Sequence, residues 1–125
     1  MNQQIPPPET GIKRIFKAAG YSWQGIVYAW QNEAAFRQEF VLFVVASIVA
    51  IFSSVSPVEK AVLIGSVAIV IIVEILNSAI EAVVDRFGKE FHPLSKAAKD
   101  MGSAAVFISL AAAALIWMII FIPLL

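Results

Sequence analysis

Three long apolar segments constrain the fold of this 125-residue chain more than any other feature. They cover about residues 35–55, 61–86 and 98–123. About 20 helical residues are enough to cross a hydrocarbon layer about 30 Å thick. Hydrophobic residues make up 60% of the chain and charged residues only 14%, against about 25% charged residues in soluble proteins. We therefore predict an all-α membrane protein, a single membrane domain over 1–125 with three transmembrane helices.

The segment before the first span predicts a helix that lies on the membrane surface. Residues 1–9 form a polar tail, and an apolar stripe with helical spacing follows over about 10–33. The stripe consists of Ile12, Ile15, Phe16, Ala19 and Trp23, and the basic residues Lys13, Arg14 and Lys17 lie off it. Packing of this helix against the transmembrane bundle is the alternative interpretation.

The connections between the spans indicate helix ends and orientation. Ser56, Pro57 and Glu59 form a capping-box pattern before the second span, while Gly88 and Pro93 suit a helix end and a restart in the second connection. Basic residues concentrate before the first span and around the second connection, and only Lys60 lies in the first. The positive-inside rule therefore predicts a cytoplasmic N-terminus and a C-terminus on the outer side.

The second span carries polar residues that a lipid-facing helix would not tolerate. Plotted at helical spacing, they fall within an arc of about 100°; they are Glu74, Asn77, Ser78, Glu81 and Asp85. A charge at the centre of a span costs at least about 2.5 kcal/mol, so such groups face a bundle interior or a wet cavity. Glu74 and Glu81 are about 10.5 Å apart along the axis, a separation that suits a base and a metal with substrate between them. The alternative is a structural stripe that joins helices in an oligomer, which fits Asp85 near the end of the span.

Two further polar clusters belong to the same side of the membrane. In 32-NEAAFRQE-39, Glu33 and Arg37 have the spacing of an ordinary surface ion pair. The alternative is that Glu33 and Glu81 hold a Mg²⁺ ion, whose remaining ligands would be phosphate oxygens and waters. Lys99, Asp100 and Ser103 are predicted on one face of the first turn of the third span, where lysine suits a phosphate and a solvated helix start is the alternative.

Several function classes receive no support from the sequence. The chain contains no cysteine, which excludes disulfides and thiolate chemistry, and its formal net charge of zero indicates no nucleic-acid partner. Neither a Walker phosphate-binding loop nor an HExxH zinc motif occurs. His92 is the only histidine, and a solvated loop position is the ordinary interpretation of such a residue.

Four sequence blocks resemble the small integral-membrane diacylglycerol kinases of Gram-negative bacteria. They are 17-KAAGYSWQG-25, 32-NEAAFRQE-39, 73-VEILNSAIEAVVDR-86 and 97-AAKDMGSAA-105. The resemblance implies a homotrimeric helical bundle in the bacterial inner membrane, with a periplasmic C-terminus and active sites shared between subunits. It also implies phosphorylation of diacylglycerol to phosphatidic acid with ATP and Mg²⁺. Because phosphoryl transfer needs positioning and charge neutralisation more than covalent chemistry, we predict direct attack of the lipid hydroxyl on the γ-phosphate, without a phosphoenzyme.

The resemblance also assigns roles to individual residues. Glu74 matches the catalytic base, Asn77 a polar residue of the active centre, and Glu33 and Glu81 the metal-holding carboxylates. The implied nucleotide contacts are Arg14, Tyr21, Glu33, Glu81, Glu90, Phe91, His92, Lys99 and Asp100. The implied lipid contacts are Ala18, Ser22, Trp23, Ala35, Arg37, Glu74 and Ser103. Phe91 stands where the family pattern has tyrosine, and the Pro6-Pro7-Pro8 tail also departs from that pattern.

Two other functions compete with this interpretation. A kinase of the same fold that acts on undecaprenol, as Gram-positive relatives do, would share the acidic stripe. A non-enzymatic membrane assembly subunit would use the stripe only to hold helices together.

Overall fold

A computed structural model describes residues 4–125, and within this range the chain is entirely helical. Its elements are α1 (Gly11–Asn32), α2 (Ala34–Phe52), α3 (Pro57–Arg86) and α4 (Pro93–Phe121), followed by a short 3-10 turn, Ile122–Leu124. Helices α2, α3 and α4, the last continuing into the turn, are long and apolar enough to cross a membrane. The predicted all-α fold with three candidate membrane spans after an N-terminal helix is therefore confirmed.

Helix α3 is the centre of the bundle, since it packs extensively against both α2 and α4. The short α2–α3 connection makes these two helices antiparallel neighbours. At that connection, which we call the hairpin end, Leu63 of α3 is fully buried with Ala50 and Val55, against Trp117 and Phe121 of α4. The opposite end, formed by the start of α2, the end of α3 and the start of α4, is called the polar end because it carries the acidic stripe.

Helices α3 and α4 start earlier than their apolar segments suggest, because polar caps rather than hydrophobicity fix their first residues. The predicted capping box is present, with the Glu59 amide donating to Ser56 Oγ. Helix α3 therefore begins at Pro57, as the capping-box pattern predicts, and ahead of the apolar segment that starts near residue 61. Helix α4 begins at Pro93 rather than near residue 98, and the His92 Nδ1 atom accepts a hydrogen bond from the Leu94 amide at 3.1 Å.

The surface of α1 is almost wholly uncovered by the rest of the chain. Only Ala29 is buried in this helix, and the predicted apolar stripe is exposed, with Phe16 at 74% and Trp23 at 67%. The alternative of a helix packed by this stripe against its own bundle is therefore wrong. Glu33 adopts extended backbone angles and separates α1 from α2, so that the surface helix and the first span are distinct elements.

Candidate active site

Glu74 is the buried centre of an acidic cluster at the polar end. Its side chain is only 4% exposed, and Ser78, one turn further along α3, donates a hydrogen bond to it at 3.4 Å. The charges of Glu33, Glu39 and Glu81 all lie near enough to act on Glu74. The inward orientation is therefore confirmed for Glu74 and Asn77, which are both buried, whereas Asp85 at the end of the stripe is exposed. The four clustered carboxylates are not neutralised by ion pairs within the described residues.

Glu39 belongs to this cluster, although the sequence patterns predict no role for it. It lies in α2, and its Oε2 atom is buried without a hydrogen-bond partner in the part of the chain that the structure describes. An acid within an otherwise apolar span is a candidate functional residue on energetic grounds alone. That signal was present in the sequence, but only the packing of α2 against α3 brings Glu39 to Glu74.

The lysine of the third cluster contacts helix α3 while its side chain stays partly exposed to solvent. Lys99 Nζ lies 2.6 Å from the Asp85 carboxylate and within electrostatic reach of Glu81. Asp100 instead pairs with Lys96, one turn earlier on α4. The predicted position in the first turn is wrong for Lys99, Asp100 and Ser103, because α4 starts at Pro93. Asp85, for which the sequence favours a structural role, is the ion-pair partner of Lys99 at the end of α3.

The α3–α4 connection encloses a cavity of about 750 Å³ at the polar end. Five of the residues predicted to contact nucleotide line it: Glu90, Phe91, His92, Lys99 and Asp100. Asp85 and Lys96 also line this cavity, so both ion pairs lie at its wall. His92 is not simply solvated, since it caps α4 while facing the cavity. The structure thus gathers most of the predicted nucleotide contacts into one concave site within a single chain.

Four of the predicted nucleotide contacts do not line this cavity. Glu33 and Glu81 belong to the acidic cluster around Glu74, and the other two are Arg14 and Tyr21. They lie on α1 and line a separate cavity of about 350 Å³ together with the proline-rich tail. The tail is held there by Glu9, which accepts a hydrogen bond from Lys17 Nζ at 2.6 Å. Any joint action of α1 and the α3–α4 cavity therefore needs surfaces from more than one chain, or a movement of α1.

The predicted lipid contacts other than Glu74 and Arg37 lie at exposed positions on α1, α2 and α4. Ala18, Ser22, Trp23, Ala35 and Ser103 are exposed, and the Ser22 hydroxyl donates to the Ala18 carbonyl at 2.8 Å. The structure leaves these side chains accessible without gathering them into a pocket.

The alternative interpretation of Glu33 and Arg37 as an ordinary surface ion pair is wrong, because the helix break at Glu33 creates a better acceptor for the arginine. Arg37 Nη1 donates to the Trp30 carbonyl at 2.7 Å, one of the carbonyl groups that a helix end leaves without an intrahelical partner. The Glu33 carboxylate is consequently not neutralised by Arg37 and stays available to the acidic cluster.

Three apolar helices around a buried acidic cluster, beside a lysine-lined cavity, define a small multi-pass membrane protein with a polar reaction centre at one end. The family model described as prokaryotic diacylglycerol kinase matches residues 20–121. A diacylglycerol kinase of Escherichia coli strain K12 is 58% identical over 111 residues, covering 89% of this chain and 91% of the relative. A diacylglycerol kinase of Pseudomonas aeruginosa is 52% identical, covering 87% of this chain and 89% of the relative. One of Helicobacter pylori strain 26695 is 44% identical, covering 91% of this chain and 89% of the relative.

The chain belongs to the prokaryotic diacylglycerol kinase family. The resemblance seen in the four sequence blocks is confirmed, and with it the prediction of an enzyme of the kinase class. The non-enzymatic alternative is not supported by any of these relatives.

Proposed function

We propose that this protein transfers the γ-phosphoryl group of ATP to the free hydroxyl of diacylglycerol, giving phosphatidic acid. The observation that carries the proposal is the buried Glu74 within an acidic cluster that adjoins a lysine-lined cavity at one end of three apolar helices. A lipid hydroxyl reaches such a position from the bilayer, and a nucleotide reaches the cavity from water. The names of the relatives point to the same lipid.

Glu74 acts as the general base in this proposal. Its carboxylate takes the proton of the lipid hydroxyl while the oxygen forms a bond to the γ-phosphorus, and the bond from that phosphorus to the ADP oxygen breaks. Phosphoryl transfer depends mainly on positioning and charge stabilisation, so no phosphorylated protein intermediate is needed. Ser78 orients the Glu74 carboxylate through its hydrogen bond, and burial excludes water that would compete for the phosphoryl group.

Glu33 and Glu81 are the residues that would hold Mg²⁺. They fit the ion because both carboxylates lie close enough to Glu74 for their charges to repel its charge. Neither is ion-paired within residues 4–125, so both can accept a cation. No group of three potential metal ligands occurs in that range, but Mg²⁺ usually binds one or two carboxylates together with substrate phosphates and waters. When bound, the ion neutralises phosphate charge. The chain's own contribution is to keep these two acids unpaired beside the base.

The α3–α4 cavity is the proposed ATP site. Lys99 lies at its wall between Glu81 and Asp85, positioned to contact a phosphate, while Glu90, Phe91, His92 and Asp100 form the remaining lining. Phe91 offers a ring face but no hydroxyl. Arg14 and Tyr21 complete the site from a neighbouring subunit in a homotrimer, a proposal supported by their separation from the cavity and by the uncovered apolar faces of the spans.

The proposed location is the bacterial inner membrane, with the N-terminus in the cytoplasm and the C-terminus in the periplasm. The polar end, which carries the basic residues of the second connection, then faces the cytoplasm and its ATP. The exposed stripe of α1 rests at the lipid headgroups on the same side, where it places Ala18, Ser22 and Trp23 near a lipid headgroup.

A paired lipid assay tests the function. Purified protein in mixed micelles is given γ-labelled ATP with either diacylglycerol or undecaprenol, each with and without Mg²⁺. We expect labelled phosphatidic acid, formed only with Mg²⁺, at a rate far above that with undecaprenol. A clear preference for undecaprenol would assign the chain to the other lipid, and transfer to neither would remove the kinase function.

A further inference from the structure

Gly102 makes the closest glycine contact in the described chain, and its partner is the predicted active-centre residue Asn77. Gly102 is buried in α4, and a Cβ atom built on it would overlap the Oδ1 atom of Asn77 on α3. By contrast, a Cβ atom at Gly65, also within a span, would meet nothing within 4 Å. The absence of a side chain at position 102 is therefore required by the conformation of one specific amide.

The orientation of the Asn77 amide has a chemical consequence. Its Oδ1 atom is buried without a hydrogen-bond partner among residues 4–125 and lies against α4, so the NH₂ group, at the other end of the amide, points away from Gly102. An asparagine amide offers one acceptor and two donors. The acidic cluster around Glu74 supplies acceptors, and within residues 4–125 the Ser78 hydroxyl is the only side-chain donor hydrogen-bonded to it. The Asn77 NH₂ group would therefore be a second donor at this site.

We infer that Gly102 is a positioning residue of the reaction centre, which fixes the Asn77 amide so that its NH₂ group is presented to the bound substrates. Gly102 touches no reacting atom; it acts only through Asn77. A methyl group at position 102 displaces the end of this side chain rather than the backbone, since the overlapping atom is the amide oxygen. The inference rests on the proposed function only for the catalytic consequence, because the contact itself is observable without activity.

The contact is tested by nuclear magnetic resonance on the detergent-solubilised full chain. The chain has three asparagines, Asn2, Asn32 and Asn77, so isotopic labelling of asparagine alone gives a simple spectrum of side-chain amides. The Asn77 signals are identified by their loss in Asn77→Ala. We expect Gly102→Ala to shift the Asn77 side-chain signals and leave those of Asn32 unchanged, and Gly65→Ala to shift none of them. Unmoved Asn77 signals in Gly102→Ala would overturn the inference.

The catalytic consequence is tested by a double-mutant cycle. Gly102→Ala is expected to lower kcat roughly ten- to hundredfold with little change in KM for ATP, since a misplacement of about 1 Å can cost about a hundredfold. In the Asn77→Ala background, where the overlapping atoms are gone, the same substitution should change kcat less than about twofold. Gly65→Ala is the control with unchanged kcat. An equal loss in both backgrounds would show that Gly102 acts elsewhere.

Two outcomes separate this inference from the proposed function. If Asn77→Ala itself keeps wild-type kcat, the proposed role of Asn77 fails and with it the positioning role, although the amide shift in Gly102→Ala still verifies the contact. If Gly102→Ala does not fold, the double variant Asn77→Ala, Gly102→Ala should restore a folded, assembled protein. Failure of that double variant to fold would place the essential contact of Gly102 with another group and overturn the inference.

Discussion

Replacing Glu74 with glutamine distinguishes a catalytic role of this residue from a structural one. The substitution keeps the size and shape of the side chain and an oxygen that accepts the Ser78 hydrogen bond, but it removes the proton acceptor. A general base of this kind contributes about a hundred- to ten-thousandfold to a rate, so we expect kcat to fall within that range. Because an amide fills the same buried space, assembly of the protein should survive.

The expected effect on stability follows from the neighbouring charges. Seven residues along α3 separate Glu74 from Glu81 by about 10.5 Å, and two like charges at that distance repel by about 1.6 kcal/mol at an effective dielectric constant of about 20. Glu33 and Glu39 add repulsion of the same sign. Removal of the Glu74 charge should therefore leave the thermal midpoint unchanged or raise it, whereas a residue that joins helices would lower it when altered.

The assay measures phosphatidic acid formation from γ-labelled ATP, alongside thermal denaturation and size-exclusion chromatography in the same detergent. Glu59→Gln is a matched control on the same helix, because glutamine also completes a capping box, and it should preserve both kcat and stability. Wild-type turnover by folded Glu74→Gln would refute the assignment of the base. Loss of assembly without a specific loss of turnover would support a purely structural stripe.

Substitutions at three further positions test the ion pair beside the site and the caps of α3 and α4. Asp85→Asn removes the ion-pair partner of Lys99 and should raise KM for ATP roughly two- to fivefold, in keeping with an exposed pair; an unchanged KM would show that Asp85 does not position the lysine. Ser56→Ala removes the cap of α3 and should lower the free energy of unfolding by about 1 kcal/mol without changing kcat, and equal stability would contradict the cap's contribution. His92→Asn retains a capping side chain and His92→Ala does not, so thermal midpoints should fall only in the alanine variant, while KM for ATP should rise in both. A normal KM in His92→Asn would restrict His92 to its capping role.

The features that could be predicted from sequence are those set within one helix. The stripe from Glu74 to Asp85 follows from helical spacing, and its inward orientation from the cost of charge in hydrocarbon. The capping box at Ser56 likewise depends on four consecutive residues. The first residues of α3 and α4 were displaced from the predicted spans because hydrophobicity marks the lipid-crossing length, whereas Pro57 and Pro93 mark where the backbone turns helical.

The features that could not be predicted depend on the register between helices. Nothing local to Glu39 places it beside Glu74, and nothing local to Lys99 selects Asp85 rather than Asp100, which lies next to it in the sequence. Gly102 fits the sequence as an ordinary small residue of a membrane helix, and its role appears only where α4 meets Asn77. The break at Glu33 had a similar effect, since it redirected Arg37 to the Trp30 carbonyl.

A single-turnover experiment tests the central claim, that the acidic cluster of α3 carries direct phosphoryl transfer to a lipid hydroxyl. Protein in excess over γ-labelled ATP is mixed with diacylglycerol and Mg²⁺, quenched at successive times and separated into protein, lipid and nucleotide. We expect the label to pass from ATP to phosphatidic acid with none on the protein at any time, and Glu74→Gln to slow this single step. Label that accumulates on the chain before it reaches the lipid would contradict direct transfer.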